Sequence, residues 1–523
     1  MRNISALLGC TALIASVAAA PAVAADWPMF GASLSNLASN PSEQILSKNT
    51  VAGLAPKWVA TVGGDVSARA AVVDGIAYFP DWAGNLWALN TATGKPVWQH
   101  TMTGYGLPAG TVSRTTPAVD GNIIYFGTQQ GAYLVAIDKS TGALRWVSQM
   151  DTHPLAIITA SPAVKDGVIY TGVASNEEGA AANPSYTCCS FRGSVLAADA
   201  RTGKILWKTF TVPEGYSGGA VWGSNMVVDA ARQEVFIGTG DNYSVPTAPA
   251  YVSCVASGGT AAKCAAGNDY FDSLLALDMN TGRVKWSRRL ASSDDWNVAC
   301  FSVPAGSGNC PVGAGKDYDF GSAPQEYTIK LSGGGTRTII GAGQKSGVYW
   351  AFDADTRKLL WATQVGPGSS LGGIEWGSAS DGKRIYVAIS NFGGKPYAAG
   401  KAGSWSALDP ATGAVLWRTP DPNGAIDLGP LAVANGVVYA PSMAGQPSQA
   451  SMFALNAASG DILWSFTPGS SVIAGATIVD GSVYWGSGYA HLGLPGLTGN
   501  TKFFAFSLAG TQSAPTAAHQ LRQ

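Results

Sequence analysis

The sequence predicts an all-β fold, an eight-bladed β-propeller closed by pairing its N- and C-terminal strands. A hairpin repeat occurring seven times predicts it, together with two half-copies, one near each end, that complete one another. Composition agrees: 46% hydrophobic and 12% charged residues are too apolar for a disordered chain and too evenly spread for a membrane protein.

Each copy is an apolar strand, Asp or Asn, a Thr-Gly or Ser-Gly turn in all but the fifth, and a strand ending in Trp. The copies cover 86–98, 134–146, 195–207, 274–286, 349–361, 405–417 and 452–464. Alternating apolar residues give a strand one buried face. The Gly supplies the positive φ of a tight turn, and the preceding Asp or Asn bonds back to the turn amides. The Trp offers a broad surface for the next copy. Such a hairpin cannot bury its face alone, so copies stack. The fifth copy departs, with Thr356-Arg357 in place of Thr-Gly.

Lys57-Trp58 reads as a closing strand without its partner, and 503–508 (FFAFSL) as the partner without its closing strand. Joined, they make an eighth blade and remove the exposed sheet edges. Successive repeat Trp residues lie 40, 48, 61, 79, 75, 56 and 47 residues apart. The three widest intervals carry insertions into blades three to five, and insertions in repeat folds gather on the binding face.

Arg2, the apolar run from Ala6 to Ala20 and the small residues at 22–25 predict a secretory signal over 1–25 and export to the periplasm. The propeller is expected over 26–510 and a flexible tail over 511–523. The apolar run is too short for a membrane span. A net charge of -1 without a basic run argues against nucleic acid.

Beyond the signal lie six cysteines in three close pairs: Cys188 and Cys189, Cys254 and Cys264, Cys300 and Cys310. An exported chain with an even count favours disulfides. Pairing Cys254 with Cys264 and Cys300 with Cys310 leaves Cys188 and Cys189 to each other, as a flat vicinal ring suited to stacking on a planar ligand; two separate thiols are the alternative. No C-x-x-C-H occurs, so no haem is attached.

The inserts also carry the acids: Glu177-Glu178, Asp241-Asn242, Asp294-Asp295-Trp296-Asn297 and Asp317-Tyr318-Asp319. Carboxylate and amide oxygens at strand ends are what a hard cation such as Ca²⁺ takes; each alone is equally a turn former. Lys345, Arg114 and Arg192 suit a ligand bearing several carboxylates. Glu375-Trp376 and Trp485 either join such a site or fill the channel.

The segments DWPMFG, YFPDWAGNLWALN, CCSFRGSVLAADA, DDWNVAC and AGQKSGVYWAFD resemble the pyrroloquinoline-quinone (PQQ)-dependent alcohol dehydrogenase family, in its polyvinyl-alcohol dehydrogenase branch. The likeness runs from Asp26 to Leu508. It implies PQQ and Ca²⁺ in the channel and oxidation of secondary or polymeric alcohols to ketones. Electrons would leave on an external acceptor such as a periplasmic cytochrome c. It places Ca²⁺ on Glu177, on Asp241 or its neighbour Asn242, and on Asp317. It places the base at Asp317 with Asp319 beside it, and Asp295 as runner-up, since Asn297 cannot act as a base. It assigns Lys345 to the quinone oxygens and Trp222 to the aromatic floor beneath PQQ. Cys188, Cys189, Arg192, Arg114 and Trp376 complete the expected cofactor contacts. A non-catalytic scaffold of the outer-membrane assembly type is the competing reading.

Overall fold

The computed structural model describes residues 26–511. The expected signal over 1–25 and most of the expected tail, 512–523, lie outside the described residues.

Eight antiparallel sheets form the ring. Blade one comprises Ala71–Val73, Ile76–Pro80, Asn85–Asn90 and Pro96–Thr101. Blades two to seven repeat the pattern, with third strands at Tyr133–Asp138, Ser194–Asp199, Ser273–Asp278, Val348–Asp353, Ser404–Leu408 and Met452–Asn456. In the closing blade Ala55–Thr61 pairs with Lys502–Ser507, setting Trp58 opposite Ala505. Both chain ends therefore complete one sheet, as the two half-copies require.

The repeat explains the contact between blades. The indole N–H of Trp58 donates to Thr91 O of the next blade's turn (2.9 Å), and Trp98, Trp146, Trp207 and Trp417 do the same to Lys139, Ala200, Met279 and Ala457. The turn Gly lies against the indole face: a Cβ on Gly94 would fall 2.6 Å from Trp58, and one on Gly282 2.4 Å from Trp207. Glycine is thus required twice, for its φ of +71° at Gly94 and for the docking of the ring. At the fifth copy Arg357 takes this place with φ +63° and pairs instead with Glu234.

One feature lacks any periodic signal. Residues 27–40 cross the ring and bond in turn to the first strands of blades one, two, four, six and seven, at Val72, Val119, Val228, Ser380 and Val433. The segment ends as Ser39–Asn40, parallel to Ala432–Ala434. It ties together blades that are far apart in sequence.

Candidate functional site

The insertions of blades three to five converge on a cavity of about 590 Å³, within the usual range for a small-molecule site. Trp222, Tyr243, Trp296 and Trp376 contribute aromatic walls, and Arg114, Glu178, Asp317, Lys345 and Glu375 polar ones.

The acidic centre is built by backbone. Asp241 follows the strand Glu234–Gly238, and its N–H donates to Asp319 Oδ1 (2.8 Å). The other Asp319 oxygen accepts from Trp222 Nε1 (2.7 Å). Asp294 holds the opposing loop, its carboxylate accepting from the backbone N–H groups of Lys316, Asp317 and Tyr318 (2.8–3.1 Å). This sets Asp317 at φ +56° with its carboxylate accepting from Lys345 Nζ (2.6 Å). Carboxylate oxygens of Asp241, Asp317 and Asp319 then lie within 4.8 Å of one another, all buried.

Concentrated negative charge is the site's main electrostatic feature. Burial, then the charges of Asp319 and Asp317, push Asp241 well above the ordinary carboxylate range. Burial raises Asp317 likewise, with Lys345 opposing. Glu178 and Glu375 are each pushed up to about 7, chiefly by burial. Burial would lower Lys345, but Asp317 and Asp319 outweigh it and hold its pKa well above the usual ammonium value. Both carboxylate oxygens of Asp241 are buried without a hydrogen-bond partner. That is costly unless a cation or proton satisfies them.

On the aromatic side, Trp376 meets Trp222 edge-on with centroids 5.1 Å apart. The Arg114 guanidinium lies 3.9 Å above the Trp376 ring, and Lys345 Nζ 5.0 Å from that of Trp222. Two aromatic rings and two cations beside an acidic cluster suit a planar, anionic aromatic molecule with a hard cation at its edge.

Several expected residues lie elsewhere. Glu177 is fully buried and faces away from the cavity: its oxygens accept from the N–H groups of Ser190 and Phe191 and the hydroxyls of Tyr186 and Ser190. Its neighbour Glu178 lines the cavity instead. Consecutive residues of the helical turn Glu177–Ala180 project about 100° apart, so only one of the two can face inward. Cys188 and Cys189 are disulfide-bonded, as are Cys254–Cys264 and Cys300–Cys310. The vicinal pair is not on the cavity wall. Cys189 Sγ packs 3.9 Å from the carbonyl of Tyr243, and it is Tyr243 that lines the wall. Arg192 is also off the wall, donating to Val212 O and lying over Phe210. Asp295 and the Asn242 side chain share a separate small cavity with Asp269, which removes Asp295 as a base beside Asp317. Asn297 is a loop clamp, donating to Tyr243 O (2.8 Å) and Asn309 O (2.7 Å).

Sequence reasoning missed Glu178 as the inward acid and Tyr243 as a wall. It also left Asp294 without a role. The Asp294 signal was a carboxylate placed to receive a run of turn amides from a distant segment, which no local pattern reveals.

A protein-family model described as outer membrane protein assembly factor BamB matches residues 53–239 and 344–499. The gap between those segments holds Asp241, Asp294, Asp317 and Asp319. The chain is 30% identical to a polyvinylalcohol dehydrogenase of Sphingopyxis sp. (strain 113P3), over 83% of this chain and 68% of that one. A polyvinylalcohol dehydrogenase of Pseudomonas sp is 28% identical, over 89% and 73% respectively. Among solved structures, a quinohemoprotein alcohol dehydrogenase, ADHIIG, from Pseudomonas putida HK5 shares the fold with TM-score 0.73 at 18% identity, covering 95% of this chain and 82% of that one.

Proposed function

Because the chain belongs to the PQQ-dependent alcohol dehydrogenases, with polyvinylalcohol dehydrogenases among its relatives, we propose that it oxidises secondary or polymeric alcohols to ketones, using PQQ and Ca²⁺ held in the 590 Å³ cavity. The observation that carries this reading is the pair of unpartnered, buried Asp241 oxygens within ligand reach of Asp317 and Asp319, beside an aromatic-walled cavity.

The donor set fits the ion. It is all oxygen, partly preformed by Trp222 and the Asp241 amide, and its charge exceeds what Lys345 neutralises. Asp241 and Asp319 would hold the cation, with Asp317 at its edge and Glu178 in place of the Glu177 first expected. The cavity fits the quinone: Trp222 and Trp376 offer ring surfaces, and Arg114 and Lys345 offer charge to its carboxylates. When bound, PQQ supplies a two-electron hydride acceptor beside a Lewis-acidic ion.

Asp317 is the base. It is the aspartate of the cluster that also lines the cavity, so it can take the hydroxyl proton as the adjacent C–H is oxidised. Asp294 fixes its backbone, and Lys345 holds its carboxylate in one orientation. The remaining walls, including Trp296, Phe301 and Leu371, give the cavity apolar surface beside the reacting carbon.

The electrons would pass to an external acceptor, a periplasmic cytochrome c or its equivalent. A scaffold function finds support in the assembly-factor match, but that match skips the inserts in which the acids stand. The test is to add PQQ and Ca²⁺ to the purified chain and follow dye reduction with polyvinyl alcohol, a secondary alcohol, a primary alcohol and glucose. Turnover with the first two, abolished by Asp317→Asn, is expected. PQQ binding without any turnover, or no binding at all, would overturn the assignment.

A further inference from the structure

Asp241 and Asn242 are consecutive in an extended segment, where neighbouring side chains project to opposite sides. Asp241 faces the acidic cluster, whereas Asn242 turns its back on it. The Asn242 amide nitrogen donates to Asp269 Oδ2 (3.1 Å), and Asp295 lines the same cavity. The Asn242 amide oxygen, like Asp269 Oδ1, is buried with no partner; Asn242 and Asp269 are each 2% exposed.

These groups line a cavity of about 10 Å³, the size of one water or one ion. The nearby Arg289 partly offsets the charge of Asp269 but makes no bond to its carboxylate: its guanidinium donates to the Asp269 backbone carbonyl (3.4 Å) and stacks on Phe271. Neither carboxylate has an ion-pair partner among the described residues. Two carboxylates and one amide oxygen, with no nitrogen or sulfur ligand, form a hard-cation donor set.

We propose that Asn242, Asp269 and Asp295 form a second divalent-cation site, a Ca²⁺ site, separate from the catalytic cluster. Three inserted segments meet at this site. One begins at Asn242, clamped by Asn242 N to Asp294 O (3.0 Å) and Trp296 N to Asn242 O (2.7 Å). The second carries Ala261, Ala265 and Asp269 and is tied by Cys254–Cys264. The third, 292–295, leads directly to Trp296 and Phe301 of the active-site wall. An ion here pins the loop that shapes the substrate cavity without touching substrate.

Chelator-treated full-length protein is dialysed to equilibrium against labelled Ca²⁺, and bound ions are counted per chain. Two are expected for the unaltered chain, one for Asp241→Asn and one for the double variant Asp269→Asn/Asp295→Asn. If the double variant binds as many as the unaltered chain, the proposal is overturned. If only the catalytic site is misassigned, Asp241→Asn matches the unaltered chain while the double variant still loses one ion. Should the double variant not fold, Asp295→Ser, at a half-buried position, replaces it. Hydrogen exchange over 249–271 then reports the site: Ca²⁺ should slow it at least tenfold in the unaltered chain and not in Asp295→Ser. Equal slowing in both would overturn the proposal.

Discussion

Glu177 and Glu178 are adjacent and chemically identical, yet the structure gives them opposite duties, and Glu177→Gln tests this. The Glu177 carboxylate accepts from two backbone N–H groups, Ser190 (2.9 Å) and Phe191 (2.7 Å), and from Tyr186 Oη (2.8 Å). An amide keeps one acceptor oxygen and turns an NH₂ toward these donors, so at least one buried N–H loses its partner. Orphaning one such donor costs about 1–3 kcal/mol, and loss of charge from the other bonds about 1 kcal/mol more. The unfolding entropy of a chain this long is about 1 kcal/mol per degree. Glu177→Gln should therefore lower Tm by about 2–4 °C and leave Ca²⁺ affinity within about twofold, a change of about 0.4 kcal/mol or less. Glu178→Gln should do the reverse, weakening Ca²⁺ about tenfold with little change in Tm. Differential scanning calorimetry and Ca²⁺ titration calorimetry on both variants read the two effects. A Glu177→Gln protein of unchanged Tm that binds Ca²⁺ tenfold more weakly would refute the placement of these side chains.

Asp317→Asn should lower kcat by about 10²–10⁴-fold with PQQ affinity within about twofold, measured by stopped-flow dye reduction and fluorescence quenching. Arg114→Ala removes the guanidinium stacked on Trp376 and should weaken PQQ about tenfold, read by quenching of tryptophan emission. Asp427, 1% exposed, is raised well above the carboxylate range by burial and then by Asp421. A raised carboxyl contributes stability that is fully present below its unfolded value near about 4 and is lost as pH rises through the folded value. Asp427→Asn escapes that loss, so its Tm advantage over the unaltered chain should widen from pH 4 to pH 8; a constant difference would contradict the assignment.

The ring was legible because its physics is local and repeated. Trp58 and Phe503–Phe506 announced the closing blade, since half a hairpin at each end has only one way to be completed. Gly94 and its counterparts were legible as turn residues, though not as the flat surface on which Trp58 docks. The site was legible as a set of loops but not as directions. Asp241 and Asn242 are equivalent oxygen donors in sequence; the pleat alone sends one to each cavity. Glu177 and Glu178 differ only by a rotation within one helical turn. Cys188–Cys189 was readable as a ring, but its position behind Tyr243 depends on a contact across 54 residues. The belt of residues 27–40 has no period, because its bonds to the ring are spread over different blades.

The account rests on Asp241, Asp317 and Asp319 converging on one ion beside one planar cofactor. A crystal structure with PQQ and a strongly scattering analogue of Ca²⁺ measures this directly. An anomalous peak bonded to Asp241 and Asp319, with flat density between the Trp222 and Arg114 sides of the cavity, is the predicted result. Flat density outside that cavity, or a peak confined to Asn242, Asp269 and Asp295, would contradict it.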